Sequence, residues 1–370
     1  MSNKETHEEI IKSLTKAGKE VLQEIRQGKN PEVSIPLRTL SNVYFDDKDH
    51  LIKLGDKSRK RSFFKVGQSK KFMQTMLIAA QIKKLLEQDQ PALSTRQLYY
   101  TLKHSIPGLK ENTFDDQASE SDPIIEDIEV MINYLREQLN LVAVPKGVIS
   151  GPLVMEDVKT EDIIDYTKMG TAGGAVPPSV EKDVLKIKEC SAKYILVVEK
   201  FAVWNLLNQQ KYWKKNNCIL MTGKGQPARA ERRLLARFGK ELDIPIYTFC
   251  DMDIYGYYIY SVYKQGSINL AFFSEKAGCP KAKYLGFATE DVKRFDIPKS
   301  SWINLDKHDI KRLSEVSKYD WFKKKEWQAE LKRLRDFGHK IESDALVSKK
   351  IDFTAKEYLP HKIENKLFLD

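Results

Sequence analysis

Three apolar runs constrain this chain more than anything else in it: YILVVE (194–199), CILMT (218–222) and IPIYTFCD (244–251), each followed by a stretch with helical periodicity. A strand with one face in water alternates apolar and polar residues. Continuous runs are covered on both faces, and their interleaving with helices makes the sheet they form parallel. The later part of the chain is therefore expected to be α/β, with a mostly parallel sheet. MGTAGGAVPP (169–178), rich in Gly and Pro, precedes it and reads as a loop or linker.

In an open parallel sheet, ligands collect beyond the carboxyl ends of the strands. Glu199 directly follows YILVV, and Asp251 and Asp253 directly follow IPIYTFC, so all three carboxylates are expected at one edge. Their hard oxygens suit Mg²⁺. Acidic residues also follow strands simply because loops are polar, and a lone DxD says little. A glutamate ending one strand, with DxDxxG (closed by Gly256) ending another, is a much more specific pattern. Between them lies TGKGQP (222–227), where Gly223 and Gly225 allow backbone amides to approach a phosphate and Lys224 adds a charge. GxxxxGK[ST] is absent, as is any other ATP-binding signature. A GKG turn by itself is most often only a turn.

The earlier part of the chain has a helical texture. Residues 5–27 place Ile10, Ile11, Leu14, Ala17, Val21 and Ile25 at near-helical spacing and stop at Gly28 and Pro31. Such a helix packs on its own domain or docks a partner subunit. Between Lys53 and Lys71, eight basic residues stand against Asp56, with Phe63 and Phe64 interleaved. A solvated face is one reading. A phosphate-backbone contact through Arg59, Lys60 and Arg61 is the other. Helical patterns follow over 70–88, from Ser94 or Thr95 to about His104, and from Asp122-Pro123 to about Leu139. LVAV (141–144) and GVISGPLV (147–154) read as a short hairpin. Three helices and a hairpin describe a CAP-like winged helix. The expected division is residues 1–69 as N-terminal helix and basic segment, 70–150 as winged-helix domain, and 151–370 as the domain with the parallel sheet.

Composition narrows the partners. Lys and Arg number 62 against 52 Asp and Glu, a net charge of +10, which favours a polyanion such as double-stranded DNA. No run approaches the roughly eighteen apolar residues that span a membrane. The polar N-terminus lacks a signal core. Cys190, Cys218, Cys250 and Cys279 lie far apart without any CxxC, which argues against a zinc site and a disulfide framework. A cytoplasmic, nucleoid-associated protein with no membrane attachment is expected.

One further segment bears on chemistry: S94-T-R-Q-L-Y-Y100, on the second helix of the winged-helix candidate. A phenol that attacks a phosphodiester forms a phosphotyrosyl ester and conserves the bond energy, so the break stays reversible. Nearby positive charge steadies the phenolate and the pentacoordinate phosphate. Arg96 lies one helical turn before Tyr100. Paired tyrosines on a helix are most often half-buried packing residues, and Arg96 reaches Tyr99 as well, so periodicity leaves the choice between the two open.

Glu199 after one strand and D251-M-D253-I-Y-G256 after another resemble the Toprim domain of topoisomerases, bacterial-type primases and some nucleases. RQLYY, preceded by FFK and KKFMQTM, resembles the catalytic motif of the topoisomerase VI A-subunit family and the related eukaryotic meiotic break-making proteins. The resemblance runs from about residue 50 to the end, includes DALVSKKIDFTAKEYLPHKI (344–363), and departs at no motif position. It implies Tyr100 as nucleophile, Arg96 as its support, and Mg²⁺ held by Glu199, Asp251 and Asp253, with Glu199 also able to exchange a proton with the 3′-hydroxyl. It further implies a homodimer that pairs the tyrosine of one chain with the carboxylates of the other, and a separate GHKL-type ATPase B subunit in an A2B2 assembly. The activity implied is ATP-dependent: transient double-strand breaks through 5′-phosphotyrosyl links, passage of a second duplex, and religation, relaxing supercoils and decatenating DNA. The alternative is a meiotic-type break-maker or Toprim nuclease without routine religation.

Overall fold

The N-terminal amphipathic pattern forms one helix, Asn3–Arg26 (α1). Its Ile10 and Leu14 are buried against Ile78 and Ile82 of the helix Val66–Glu87 (α2), while Leu22 and Ile25 stay exposed. The computed structural model describes residues 3–144 and 146–370. The chain divides into two units, 1–42 with 54–144, and 43–53 with 145–370.

In the first unit, α1 and α2 are joined by Thr95–Leu102 (α3) and Asp122–Ile132 (α4). Leu98, Tyr99, Phe114, Ile124, Ile128 and Leu141 complete one apolar core with them. Ser94 caps α3 reciprocally: its Oγ accepts from Gln97 N at 3.1 Å, and Ser94 N donates to Gln97 Oε1 at 2.8 Å. Two backbone donors left over at a helix start are thereby satisfied. The α4 helix ends at Ile132 rather than near Leu139, because Asn133 takes a left-handed conformation (φ 59°) and terminates it.

The hairpin expected over 141–154 does not form. Leu141–Val142 pairs in parallel with Leu93–Ser94, whereas Val148–Ser150 pairs with Cys218–Thr222 in the second unit. Backbone donors of both segments find longer-range partners that the local pattern does not encode. Within the first unit, Glu32–Pro36 pairs antiparallel with Ser58–Ser62.

That pair delivers a buried charge cluster. Arg61, only 4% exposed, donates through Nη2 to Asp127 Oδ2 and through Nη1 to Thr75 Oγ1, both at 2.6 Å. Arg38 Nη2 reaches Asp127 Oδ1 at 2.9 Å and Pro123 O at 3.0 Å. The Arg61 and Arg38 guanidiniums, with that of the exposed Arg59 at 3.5 Å, thus converge on one buried carboxylate of α4 and tie the strand pair to the helices.

The second unit is built on a six-stranded sheet in the order Gly174–Ala175, Val148–Ser150, Cys218–Thr222, Tyr194–Val198, Ile246–Phe249, Ala282–Gly286. The last four run parallel, and Val148–Ser150 is antiparallel to its neighbour. Every residue of Tyr194–Val198 and Cys218–Thr222 is buried, as continuous apolar runs require. The stretch expected as a linker contributes the edge strand Gly174–Ala175, where a Cβ on Gly173 would meet Trp204 at 2.5 Å and one on Gly174 would meet Tyr166 at 2.6 Å. A three-stranded antiparallel sheet (Leu185–Cys190, Leu153–Asp157, Ile163–Asp165) lies beside it in sequence. Residues 43–53 belong here too: Ile52 N donates to Gln265 O at 2.8 Å. All four cysteines are free, three of them buried. No helix among the described residues is long and apolar enough to cross a membrane.

Breaking a buried pair leaves its partner's charge uncompensated, at about 3–5 kcal/mol. Asp127→Ala is therefore expected to destabilise the full chain by about that amount, read as an earlier urea transition, with Asp127→Asn milder. A loss below about 1 kcal/mol would show that the cluster is not a structural tie.

Candidate functional site

The strand order reverses at Tyr194–Val198, which lies between Cys218–Thr222 and Ile246–Phe249, and such a reversal opens a crevice at the carboxyl ends. Val198 pairs with Phe249, and Glu199 N donates to Phe249 O at 2.9 Å, so both acidic segments leave the sheet at one level. Asp251 N donates to Glu199 Oε2 at 3.0 Å. The helix Ile254–Lys264 starts immediately below, and only glycine fits at 256, where a Cβ would meet Asp251 O at 2.5 Å.

Each carboxylate has its own neighbours. Asp251 Oδ1 accepts from Ser343 N at 2.8 Å and Ser343 Oγ at 2.6 Å, and Oδ2 lies 3.0 Å from Lys200 Nζ. Lys200 Nζ is also 2.8 Å from Glu342 Oε2 and 3.0 Å from Asp344 Oδ2. Asp253 Oδ1 accepts from Gly256 N at 2.6 Å, capping the helix it precedes. Glu199 and Asp251 are thus brought together, while Asp253 is turned to the helix start. Among the described residues, no three His, Cys, Asp or Glu side chains form a ready-made metal cluster.

Burial, then the nearby Asp251 charge, push the Glu199 carboxyl up to about 8. Burial likewise raises Asp253 to about 6, against the Gly256 amide that lowers it. Burial works against the Lys200 charge, but the Glu342 hydrogen bond and the Asp251 charge outweigh it and hold the ammonium above its ordinary value. Hard oxygens, crowded like charges and an ammonium drawn in among them are the chemistry of a cation site, and the donor set fits Mg²⁺.

The TGKG turn is bound to the same place. Gly225 N donates to Glu199 O at 2.8 Å, and Thr222 Oγ1 donates to it at 3.2 Å. Lys224 is exposed, has φ 54°, and holds its Nζ 4.8 Å from the centre of the Phe201 ring. A positive φ at a non-glycine residue stores strain that surrounding contacts must maintain.

In the first unit, the two tyrosines of α3 are unlike. Tyr99 is 7% exposed, with its Oη donating to Asp115 O at 2.8 Å and accepting from Lys103 Nζ at 2.9 Å. Tyr100 is 58% exposed. Its Oη accepts from Arg96 Nη2 at 3.4 Å, and the guanidinium carbon stands 5.5 Å from the ring centre. One phenol is fixed into the core and the other is presented beside a cation. Of the basic residues named from sequence, Arg59 and Lys60 are exposed, with Lys60 Nζ 2.9 Å from Glu32. Arg61 is not at the surface: its guanidinium is held by Asp127 and Thr75.

Residues 194–363 match the Toprim domain of the topoisomerase 6 A subunit and Spo11, and residues 70–141 match the type IIB DNA topoisomerase family. The A subunit of a type 2 DNA topoisomerase 6 from Pyrococcus abyssi is 45% identical, over 97% of this chain and 95% of its own length. Its counterpart from Pyrococcus horikoshii is 44% identical over the same shares. The A subunit of DNA topoisomerase 6 from Arabidopsis thaliana is 32% identical, over 95% of this chain and 79% of its own length. The chain belongs to the topoisomerase 6 A-subunit/Spo11 family, the type IIB DNA topoisomerases. The α/β unit with the parallel-rich sheet carries its Toprim domain, over residues 194–363.

Sequence reasoning missed Lys200, Glu342, Ser343 and Asp344. An antiparallel bridge between Met252 and Ile341 brings residues 342–344 beside Asp251. Nothing local in E-S-D announces that pairing.

The raised Glu199 carboxyl has a consequence for stability. An acid whose pKa rises from 4.5 to about 8 on folding binds more protons folded than unfolded between those values. Stability then falls as pH rises through that window. Metal-free wild type is expected to lose melting temperature relative to Glu199→Gln across it. A difference between the two proteins that does not change with pH would contradict a crowded, buried Glu199.

Proposed function

We propose that the chain is the DNA-cleaving A subunit of an ATP-dependent type IIB topoisomerase of the cytoplasm and nucleoid. It would work as a homodimer with a GHKL-type ATPase B subunit in an A2B2 assembly, on double-stranded DNA. The observation that carries the cleavage chemistry is the contrast on α3: Tyr99 is tied into the core, and Tyr100 is exposed beside Arg96. Two facts support a separate ATPase partner: the relatives are each named as one subunit of their enzyme, and the sequence carries no ATP-binding motif.

In this reading, Tyr100 Oη, exposed to solvent, gives its proton to water and attacks a backbone phosphorus. The new phenol–phosphorus ester forms on the 5′ end as the bond to the 3′ oxygen breaks, and that oxygen leaves as a hydroxyl. Arg96 steadies the phenolate and the charge on the phosphate oxygens. Glu199, Asp251 and Asp253 are the residues that would hold Mg²⁺, which when bound offsets phosphate charge and anchors the scissile strand. Glu199 exchanges the proton of the 3′-hydroxyl between breakage and religation. Lys224, on its strained turn, and the exposed Arg59 and Lys60 are assigned to the phosphate backbone; Arg61 is assigned to the fold. The helices α2, α3 and α4 are assigned to a CAP-like winged helix, supported by their shared core, with its wing not supplied by 141–154. The α1 helix packs through Ile10 and Leu14, and its exposed Leu22 and Ile25 are assigned to docking the B subunit.

The test mixes the chain with its B subunit, ATP, Mg²⁺ and supercoiled plasmid, then denatures the mixture to trap covalent complexes. Wild type is expected to leave protein on 5′ DNA ends. Tyr100→Phe is expected to lose cleavage by roughly 10³-fold or more. Tyr99→Phe is expected to keep cleavage and lose about 1 kcal/mol of stability with its core hydrogen bond. Breaks that survive Tyr100→Phe, or ends free of protein, would point to a nuclease instead.

A further inference from the structure

Lys200 follows Glu199 directly, and its backbone is fixed as the first residue before the helix Phe201–Gln209. Its ammonium lies within 3.0 Å of three carboxylates drawn from two distant segments: Asp251 Oδ2, Glu342 Oε2 and Asp344 Oδ2. Asp251 is the shared wall. Its Oδ1 is filled by Ser343, its Oδ2 meets Lys200, and its backbone amide holds the Glu199 carboxylate on the other side. A carboxylate oxygen offers two lone-pair directions, so Asp251 can serve cations on both sides at once.

A divalent ion beside Asp251 would need the second group of carboxylates neutralised by something else, because three like charges within hydrogen-bond reach of one point repel, with Asp251 buried and Glu342 and Asp344 only partly screened by water. We propose that Lys200 is that second cation: a tethered ammonium in the seat a second divalent ion would take, which limits each chain to one divalent ion at the site of Glu199, Asp251 and Asp253. This rests on the proposed cation site. In the cleavage reaction, Lys200 is a positioning residue. It keeps Asp251 fixed between two positive charges, and it leaves Glu342 and Asp344 unable to recruit an ion of their own. Lysine suits the task because a compact ammonium on a flexible stem meets three oxygens with its three donors.

Counting bound Mn²⁺ on the full chain, by calorimetry and by the loss of the free-ion paramagnetic resonance signal, separates the possibilities without any turnover. Wild type is expected to bind one ion per chain, and Lys200→Arg one. Lys200→Met is expected to bind two, a doubling that Asp344→Asn added to it reverses. Glu199→Gln is expected to abolish the wild-type ion; if that ion persists, the underlying cation site is wrong, independently of Lys200. Two ions on wild type, or one ion on a folded Lys200→Met, overturn the proposal. Should Lys200→Met fail to fold, the wild-type and Lys200→Arg counts still decide it, since two ions on either contradict a filled seat.

Discussion

Two carboxylates are forced together at the ends of adjacent parallel strands, and much of the second unit answers that crowding. The register that pairs Val198 with Phe249 leaves Glu199 and Asp251 at one level, and the Asp251 amide holds the Glu199 carboxylate directly. Burial denies both groups the water that would ordinarily screen them. The surroundings supply what water would: two donors from Ser343, an ammonium from Lys200, and a turn whose amide and hydroxyl fix the Glu199 carbonyl. A protein with no use for concentrated negative charge would have no reason to maintain it in the crevice of a parallel sheet.

The parallel sheet was legible because burial on both faces writes itself into consecutive residues, as in YILVV and CILMT. The positions of Glu199, Asp251 and Asp253 followed from where those runs end. What each carboxylate does was not legible. Asp253 sits two residues from Asp251, yet its oxygen caps a helix, an outcome set by the chain's turn at Gly256. Residues 342–344 reach the site through a single bridge to Met252, a pairing without local signature. The expected hairpin at 141–154 failed for the same reason: its two arms find distant partners, and short strands carry too little pattern to say which.

Charge was the least transferable inference. A run of eight basic residues reads as one patch, but the fold sorts its members. Arg61 is drawn inside by Asp127, Lys60 is opposed by Glu32, and Lys53 is held by Asp46 and Asp49. Position along the strand does the sorting, since Ser58–Ser62 is exposed through Lys60 and buried at Arg61 and Ser62. On α3, by contrast, the local pattern was nearly sufficient. Leu98 and Leu102 fix the buried face, Tyr99 follows them inward, and Tyr100 is left outside on the turn above Arg96.

The phenol and the carboxylates lie in different units of the chain, and the proposed chemistry joins them between two copies. Mixing Tyr100→Phe chains with Glu199→Gln chains tests this most directly. Neither homodimer has a working site. A mixed dimer that pairs tyrosine and carboxylates from different chains regains one, so with B subunit, ATP and Mg²⁺ it is expected to nick one strand and leave protein on a single 5′ end. No nicking from a mixed dimer that forms and binds DNA would contradict the account.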